Sequence, residues 1–595
     1  MTSPPTTGTV RPLGTLRFRT SGPEEIAGVV AGHLTLLGAE REAPGPADAG
    51  PHGPDGRITL GGGGFRPARA QTAWADPASG LTDEATVQAA TGIMAVHGRR
   101  DGRPRGLAAD YAATATGVLT VQGLLAALVG QARGGPAADV TTRADRAGLL
   151  AVSQYLAAAG AEEDEAAELA PGGPPFTSAD GVLFELETLD PGAWAAFWRA
   201  LEAPAEAVRA GWRPFQFRYA TACAPFPGAL HAATRAHPWE RLRRAADASG
   251  AEVCALHTLA DRAAESDGAG PWTIRPLGPG RPASPLVPTA ARPLAGLTVL
   301  EAGRRIQAPL AAHLLGLLGA EVIRIEPPGG DPLRGMPPAC SGVSARWLAL
   351  NRGKKAVEID IKAAADRRRL REMAAGADVF LHNWAPGKAA GLALDADDLA
   401  AVNPALVYAY TSGWADRLPG APMGTDFMVQ ARTGTGEAVR PRGEPPAPSL
   451  MTLLDVLGGL LGAEAVLAGL LLRERAGHGV RVDSSLLGAA DTLTAPALRR
   501  VRQGLGPRRP AGFRHPLPTA DGWIAPGDAS AAAAGAHDLR DLSTEDALDR
   551  LRGHGLAAAR VTTDLSGLHH DPRFAGAISR DAHGAPAVPD PWSFA

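Results

Sequence analysis

The chain contains one module written twice, and this duplication limits its possible folds more than any other feature. The segment Leu450 to Leu472, LMTLLDVLGGLLGAEAVLAGLLL, sets Asp455 at the head of a long apolar helix, and LAADYAATATGVLTVQGLLAALV around Asp110 has the same layout. Both lie shortly after a VQA-x-TG string, Val87 to Gly92 and Val429 to Gly434. Upstream, AGHLTLLGAE (Ala31 to Glu40) echoes AAHLLGLLGAE (Ala311 to Glu321); downstream, TSADG (Thr177 to Gly181) echoes PTADG (Pro518 to Gly522). Repeats this long mean two duplicated domains, since solenoid periods are far shorter. The Pro/Gly-rich run Gly268 to Arg292 can form neither helix nor central strand, so the boundary falls there.

The two copies are unequal. In the second, LTVLEAG (Leu297 to Gly303), an apolar helix through Leu318 and AEVIRIE (Ala320 to Glu326) read as a strand, helix and strand of a parallel sheet. More alternation follows: AVEIDI (Ala356 to Ile361), a helix over Ala363 to Ala375, ADVFLHN (Ala377 to Asn383) and ALVYAYT (Ala405 to Thr411). That half predicts a complete doubly wound domain. From Glu40 to Gln88 is only 48 residues, whereas Glu321 to Gln430 is 109, so the first copy lacks the middle strands. REAPGPADAGPHGPDGR (Arg41 to Arg57), in their place, has loop composition and is expected to supply no strand. All four lysines, Lys354, Lys355, Lys362 and Lys388, fall in the segment the first copy lacks. NRGKK (Asn351 to Lys355) could hold a phosphate or be a solvated basic turn. The tetraglycine Gly61 to Gly64 lacks the Lys and Ser/Thr of a phosphate loop and reads as an ordinary loop.

A net charge of −3 with 45% hydrophobic residues favours neither nucleic acid nor an anionic membrane as partner. Leu450 to Leu472 could span a bilayer by length, but Asp455 and Glu464 within it favour a core helix. MTSPPTTGTVRPLG shows no signal-peptide pattern, and three scattered cysteines, Cys223, Cys254 and Cys340, fit a reduced, cytoplasmic setting without a metal site.

The strings PLAGLTVLEAG, IQAPLAAHLLGLLGAEVIRIEPPGGDPLRG, LNRGKKAVEIDIK, ADVFLHNWAPG, NPALVYAYTSG, GTDFMVQA and RERAGHGVRVDSSLLGA closely resemble the class III (CaiB/BaiF-type) CoA-transferase family, from about Pro293 to Ala490. The resemblance implies tandem α/β modules, each a doubly wound (Rossmann-like) domain plus a small α+β domain, the N-terminal copy truncated. The expected divisions are 1–175, degenerate first large domain; 176–267, its small domain; 268–292, linker; 293–500, CoA-binding catalytic domain; and 501–595, shortened C-terminal small domain. It implies Asp455 as a nucleophile that attacks an acyl-CoA thioester, kept ionised by its helix N-terminus; on helix position alone an ordinary N-cap Asp is the competing reading. CoA contacts are expected at Ile306, Gln307 and Ala308, Arg334, Asn383 and Trp384, with Lys354 and Lys355. The expected partners are a CoA thioester and a carboxylic acid, with no permanently bound cofactor.

Two departures from the family pattern and one difference from its racemases stand out. Gly391 and Met336 replace a common Arg and an aromatic, and Thr425 replaces the His that racemases of this family pair with the helix Asp, which disfavours racemisation. Isomerase, lyase or racemase chemistry and non-catalytic acyl-CoA binding remain as alternatives. Asp110, at the equivalent helix start, is expected to be inactive, and the degenerate copy to act as an intramolecular dimer partner, a pseudo-dimer within one chain that makes a monomer the expected state.

Overall fold

The computed structural model describes residues 10–42, 55–280, 286–574 and 576–595. Most of the expected loop 41–57, the centre of the linker and the first nine residues lie outside this set.

The second module forms a seven-stranded sheet in the order Lys355–Glu358, Glu321–Glu326, Thr298–Ala302, Val379–His382, Val407–Ser412, His478–Ser485 and Trp272–Pro279. The first six are parallel; the central strands carry the runs of Val, Ile, Leu and Tyr that burial on both faces requires, whereas the edge strand Lys355–Glu358 is largely exposed. The last is an antiparallel edge strand drawn from the linker, where its prolines cost no central ladder bond. Strand order reverses between Thr298–Ala302 and Val379–His382, which opens a crevice at their carboxyl ends.

The first module's sheet is mixed rather than doubly wound. Its order is Glu40–Arg41, Leu16–Ser21, Gly56–Gly62, Phe65–Ala73, Asp139–Arg143 and Trp592–Phe594. An antiparallel hairpin stands where the parallel middle strands are missing, so Gly56 and Arg57, expected in a loop, begin a strand. Its turn uses the tetraglycine: Gly62, Gly63 and Gly64 have φ of 110°, 61° and 86°, a run that side chains would strain. The C-terminal strand Trp592–Phe594 crosses over to pair with Asp139–Arg143, and the Trp592 indole donates to Leu119 O at 2.7 Å.

The helices Tyr111–Ala132 and Leu453–Ala476 pack on each other at the centre. Both are long and apolar enough to cross a membrane, and both are almost wholly buried inside the protein. Tyr111 Oη donates to Leu453 O (2.9 Å) and Gln122 Nε2 to Leu460 O (2.7 Å), while Glu464 lies 3.0 Å from His33 Nδ1 of the first module. A small sheet of Phe176–Thr177, Leu183–Glu187 and Glu252–Ala255 covers the start of the second central helix. Another, Leu517–Pro518, Trp523–Pro526 and Ala558–Arg560, covers the start of the first. Each module is thus roofed by the small domain that follows the other.

Candidate functional site

Asp455 is the third residue of its helix, after Thr452, whose φ of 54° turns the chain into it; it is not the N-cap. Its backbone N–H donates to Asp426 Oδ2 at 2.7 Å. Asp426 in turn accepts from the Gln430 amide, and Gln430 Oε1 accepts the Ser449 N–H at 2.8 Å. The Asp455 carboxylate itself accepts no hydrogen bond among the described residues.

The same bracket recurs in the first module. Ala113 N–H donates to Glu84 Oε2 at 2.8 Å, Gln88 Nε2 to Glu84 Oε1 at 2.8 Å, and Leu107 N–H to Gln88 Oε1 at 2.8 Å. This register places Ala113, not Asp110, opposite Asp455, and sets Asp110 opposite Thr452 at the N-cap. The expected equivalence of Asp110 and Asp455 is therefore corrected: the first copy has a methyl group where the second has its carboxylate.

Asp455 sits in a cleft of 680 Å³ at the crevice of the parallel sheet. One wall is Arg304 to Gln307, the turn after strand Thr298–Ala302; another is Asn383 to Pro386, after Val379–His382; a third, with Glu187, Trp212, Tyr219 and Glu252, comes from the first module's small domain. Helix Gln307–Leu317 can approach because Gly458 and Gly459 carry no Cβ. One built on Gly459 would fall 2.9 Å from Gln307 O. Four of the nine non-glycine residues with positive φ among those described, Arg305, Ala415, Asp416 and Thr452, line this cleft, the clustering that functional strain produces.

Burial and then the Asp426 carboxylate push the Asp455 pKa above the ordinary carboxyl range, opposed by Arg305. Burial likewise raises Asp426. The expected ionising effect of the helix N-terminus is opposed here by desolvation and a like charge.

Of the expected contacts, Ile306, Gln307, Asn383 and Trp384 line the cleft with Asp455. The others lie outside it. Ala308 is wholly buried in the helix. Arg334 is paired with Glu326 (2.8 Å) and stacked 3.8 Å over Trp347. Lys354 is internal, its Nζ donating to Glu301 (2.7 Å), Pro309 O (2.7 Å) and Asn351 (2.9 Å). Lys355 is an exposed partner of Glu321. These cations already have internal or surface partners, which sequence spacing does not reveal. Arg304, Arg305, Glu187, Glu252 and Tyr219 were not foreseen; the pair of arginines straight after a buried strand was the one visible hint. The charge of Arg304 acts on Lys388 beside the Asn383 loop.

The counterpart position in the first module is closed. Arg514, with 2% of its side chain exposed, donates to Asp110 (2.6 Å), Asp528 (2.6 Å), Leu107 O and Ala109 O, and Arg509 adds a bond to Asp110 at 3.0 Å. Burial pushes Glu84 beneath them up to about 7.

No cluster of three or more His, Cys, Asp or Glu side chains suited to a metal occurs among the described residues. The model of CoA-transferase family III matches residues 72–269 and 294–574. The chain is 34% identical over 223 residues to succinyl-CoA:glutarate CoA-transferase of Mus musculus, covering 37% of this chain and 49% of that protein. It is 35% identical over 202 residues to the succinyl-CoA–L-malate CoA-transferase beta subunit of Chloroflexus aurantiacus (33% and 50%). With acetyl-CoA:oxalate CoA-transferase of Acetobacter aceti it shares 34% over 228 residues (38% and 58%). The chain spans about half the length of the curated relatives it matches.

Proposed function

Because the chain belongs to CoA-transferase family III, as two family regions in tandem, we propose that it moves coenzyme A from an acyl-CoA thioester to a carboxylic acid, with Asp455 as nucleophile. The observation that carries this reading is a carboxylate that accepts no hydrogen bond among the described residues, facing a cleft at the reversal point of a parallel sheet. The names of the relatives support the reaction class.

In this reading Asp455 attacks the thioester carbonyl and CoA leaves as thiolate, giving a mixed anhydride. The thiolate then attacks the aspartyl carbonyl, which releases the donor acid and leaves CoA as an aspartyl thioester. An acceptor carboxylate displaces the thiolate to form a second anhydride. Return of the thiolate to the acceptor's carbonyl gives the new acyl-CoA and restores Asp455. Ile306, Gln307, Asn383 and Trp384 guide the CoA arm, and Arg304 and Lys388 supply the positive charge that Gly391 does not. Thr425 argues against racemisation: its hydroxyl donates to Glu187 at 2.8 Å, and no imidazole stands there. We place the reaction in the cytoplasm, where the buried Cys223, Cys254 and Cys340 stay reduced. Exchange of labelled CoA between an acyl-CoA and a free acid tests the reaction; thioester binding without exchange would replace it with a carrier role.

Attack requires the ionised form of Asp455, so single-turnover labelling is expected to rise with pH through a midpoint above the ordinary carboxyl range. Asp426→Asn removes the like charge and should lower that midpoint; an unchanged midpoint would contradict this electrostatic account. Since each small domain already roofs the opposite module, we also expect light scattering to give a monomer. An obligate dimer linked through two C-terminal modules would contradict it.

A further inference from the structure

Arg304 and Arg305 both line the cleft but have different neighbours. Arg304 is tied to Asn383 through its backbone N–H and C=O, at 2.8 and 2.9 Å, and so belongs with the Asn383 loop. Arg305 holds its guanidinium 5.6 Å over the ring of Tyr219, contributed by the first module, and its charge acts on Asp455. Its φ of 62° is unfavourable for a residue with a Cβ, so the fold holds this side chain in place against local preference. Five acids line the cleft, Glu187, Glu252, Asp416, Asp426 and Asp455, yet none pairs with Arg305 among the described residues. Arg218, in the same wall, is by contrast committed to Glu187 at 3.0 Å.

A simple acyl group is neutral once its carboxyl has become a thioester. In the thioester-bound state it therefore offers the guanidinium beside the reacting carboxylate no charge to bind. A dicarboxylic acyl group keeps one negative charge, which the acids of the cleft would repel unless a free cation met it. A guanidinium matches that carboxylate with two parallel hydrogen bonds.

We infer that Arg305 is the specificity residue for the acyl group and receives the non-reacting carboxylate of a short dicarboxylic acyl thioester. This rests on the CoA-thioester reading above.

The test is equilibrium binding of glutaryl-CoA and pentanoyl-CoA to the full chain carrying Asp455→Asn, which cannot turn over and in which Arg305 no longer faces a charged nucleophile. Glutaryl-CoA is expected to bind about ten- to a hundredfold more tightly. Adding Arg305→Met should abolish that preference while leaving pentanoyl-CoA affinity within about twofold, and Arg305→Lys should restore part of it. Equal binding of the two thioesters, or a preference that survives Arg305→Met, overturns the inference. Equal loss of both would move Arg305 to the CoA arm and overturn it too. Failure of both thioesters to bind would overturn the CoA-thioester reading itself.

Discussion

Asp455→Asn is expected to lower CoA transfer by about four orders of magnitude or more, the scale on which loss of a covalent nucleophile is felt. The amide has the same shape but no ionisable oxygen to attack a thioester. Because the Asp455 carboxylate accepts no hydrogen bond among the described residues and is penalised by burial and by Asp426, the substitution should cost no stability and leave the melting temperature unchanged or raised. The loss therefore separates chemistry from folding. The first module is not expected to compensate, since the residue in register with Asp455 is Ala113. Asp110→Asn should leave transfer essentially intact.

Arg514→Ala is expected to have the opposite character, with a large effect on stability. Arg514 holds Asp110 and Asp528 and lies close enough to Glu84 for its charge to act there, while also bonding two backbone carbonyls. Removing it leaves Asp528 and the buried Glu84 without their counter-charge and Asp110 with Arg509 alone, at a cost of about 3 kcal/mol. Chemical denaturation of the variant would measure this. Glu84 gives the cost a pH dependence. Its carboxyl is raised from 4.5 to about 7 in the folded protein, so over that window the folded state binds more protons than the unfolded chain. Stability from this group is present below about 4.5 and lost as pH rises through about 7. Without Arg514, which lowers the Glu84 pKa, the loss should extend to higher pH. A variant as stable as the parent at neutral pH would show that the first module's site is not held shut by this ion cluster.

The parallel sheet was legible in the sequence because buried parallel strands are written as short apolar runs between helices, and the strands at Thr298, Glu321, Val379 and Val407 all appear where those runs predict. The mixed first sheet was not, because its hairpin strand Phe65–Ala73, FRPARAQTA, alternates small and charged residues and carries a proline. The register of the two copies was legible but was misread. Asp110 follows Val87 by 23 residues, whereas Asp455 follows Val429 by 26, and that difference of three moves the match from Asp110 to Ala113. The common layout of an aspartate before an apolar helix concealed it. Among the site residues, those on the turns after the two central strands fell in the cleft, since strand ends at a reversal point must. Arg334 did not, because the turn after strand Glu321–Glu326 folds it back onto Glu326, and Lys354 did not, because its partner Glu301 stands on a strand that only the folded sheet brings near. The contribution of Tyr219 and Glu187 from the opposite module depends on the exchange of small domains, which no local pattern encodes.

The central claim is that one carboxylate, in one of two copies, carries the acyl and CoA groups. It is tested most directly by mass spectrometry of the intact protein incubated with acyl-CoA and hydroxylamine, followed by mapping of the modified residue. A single modification at Asp455, absent from Asp455→Asn, is the predicted result. Modification at Asp110, or turnover that proceeds with Asp455 unmodified, would contradict it.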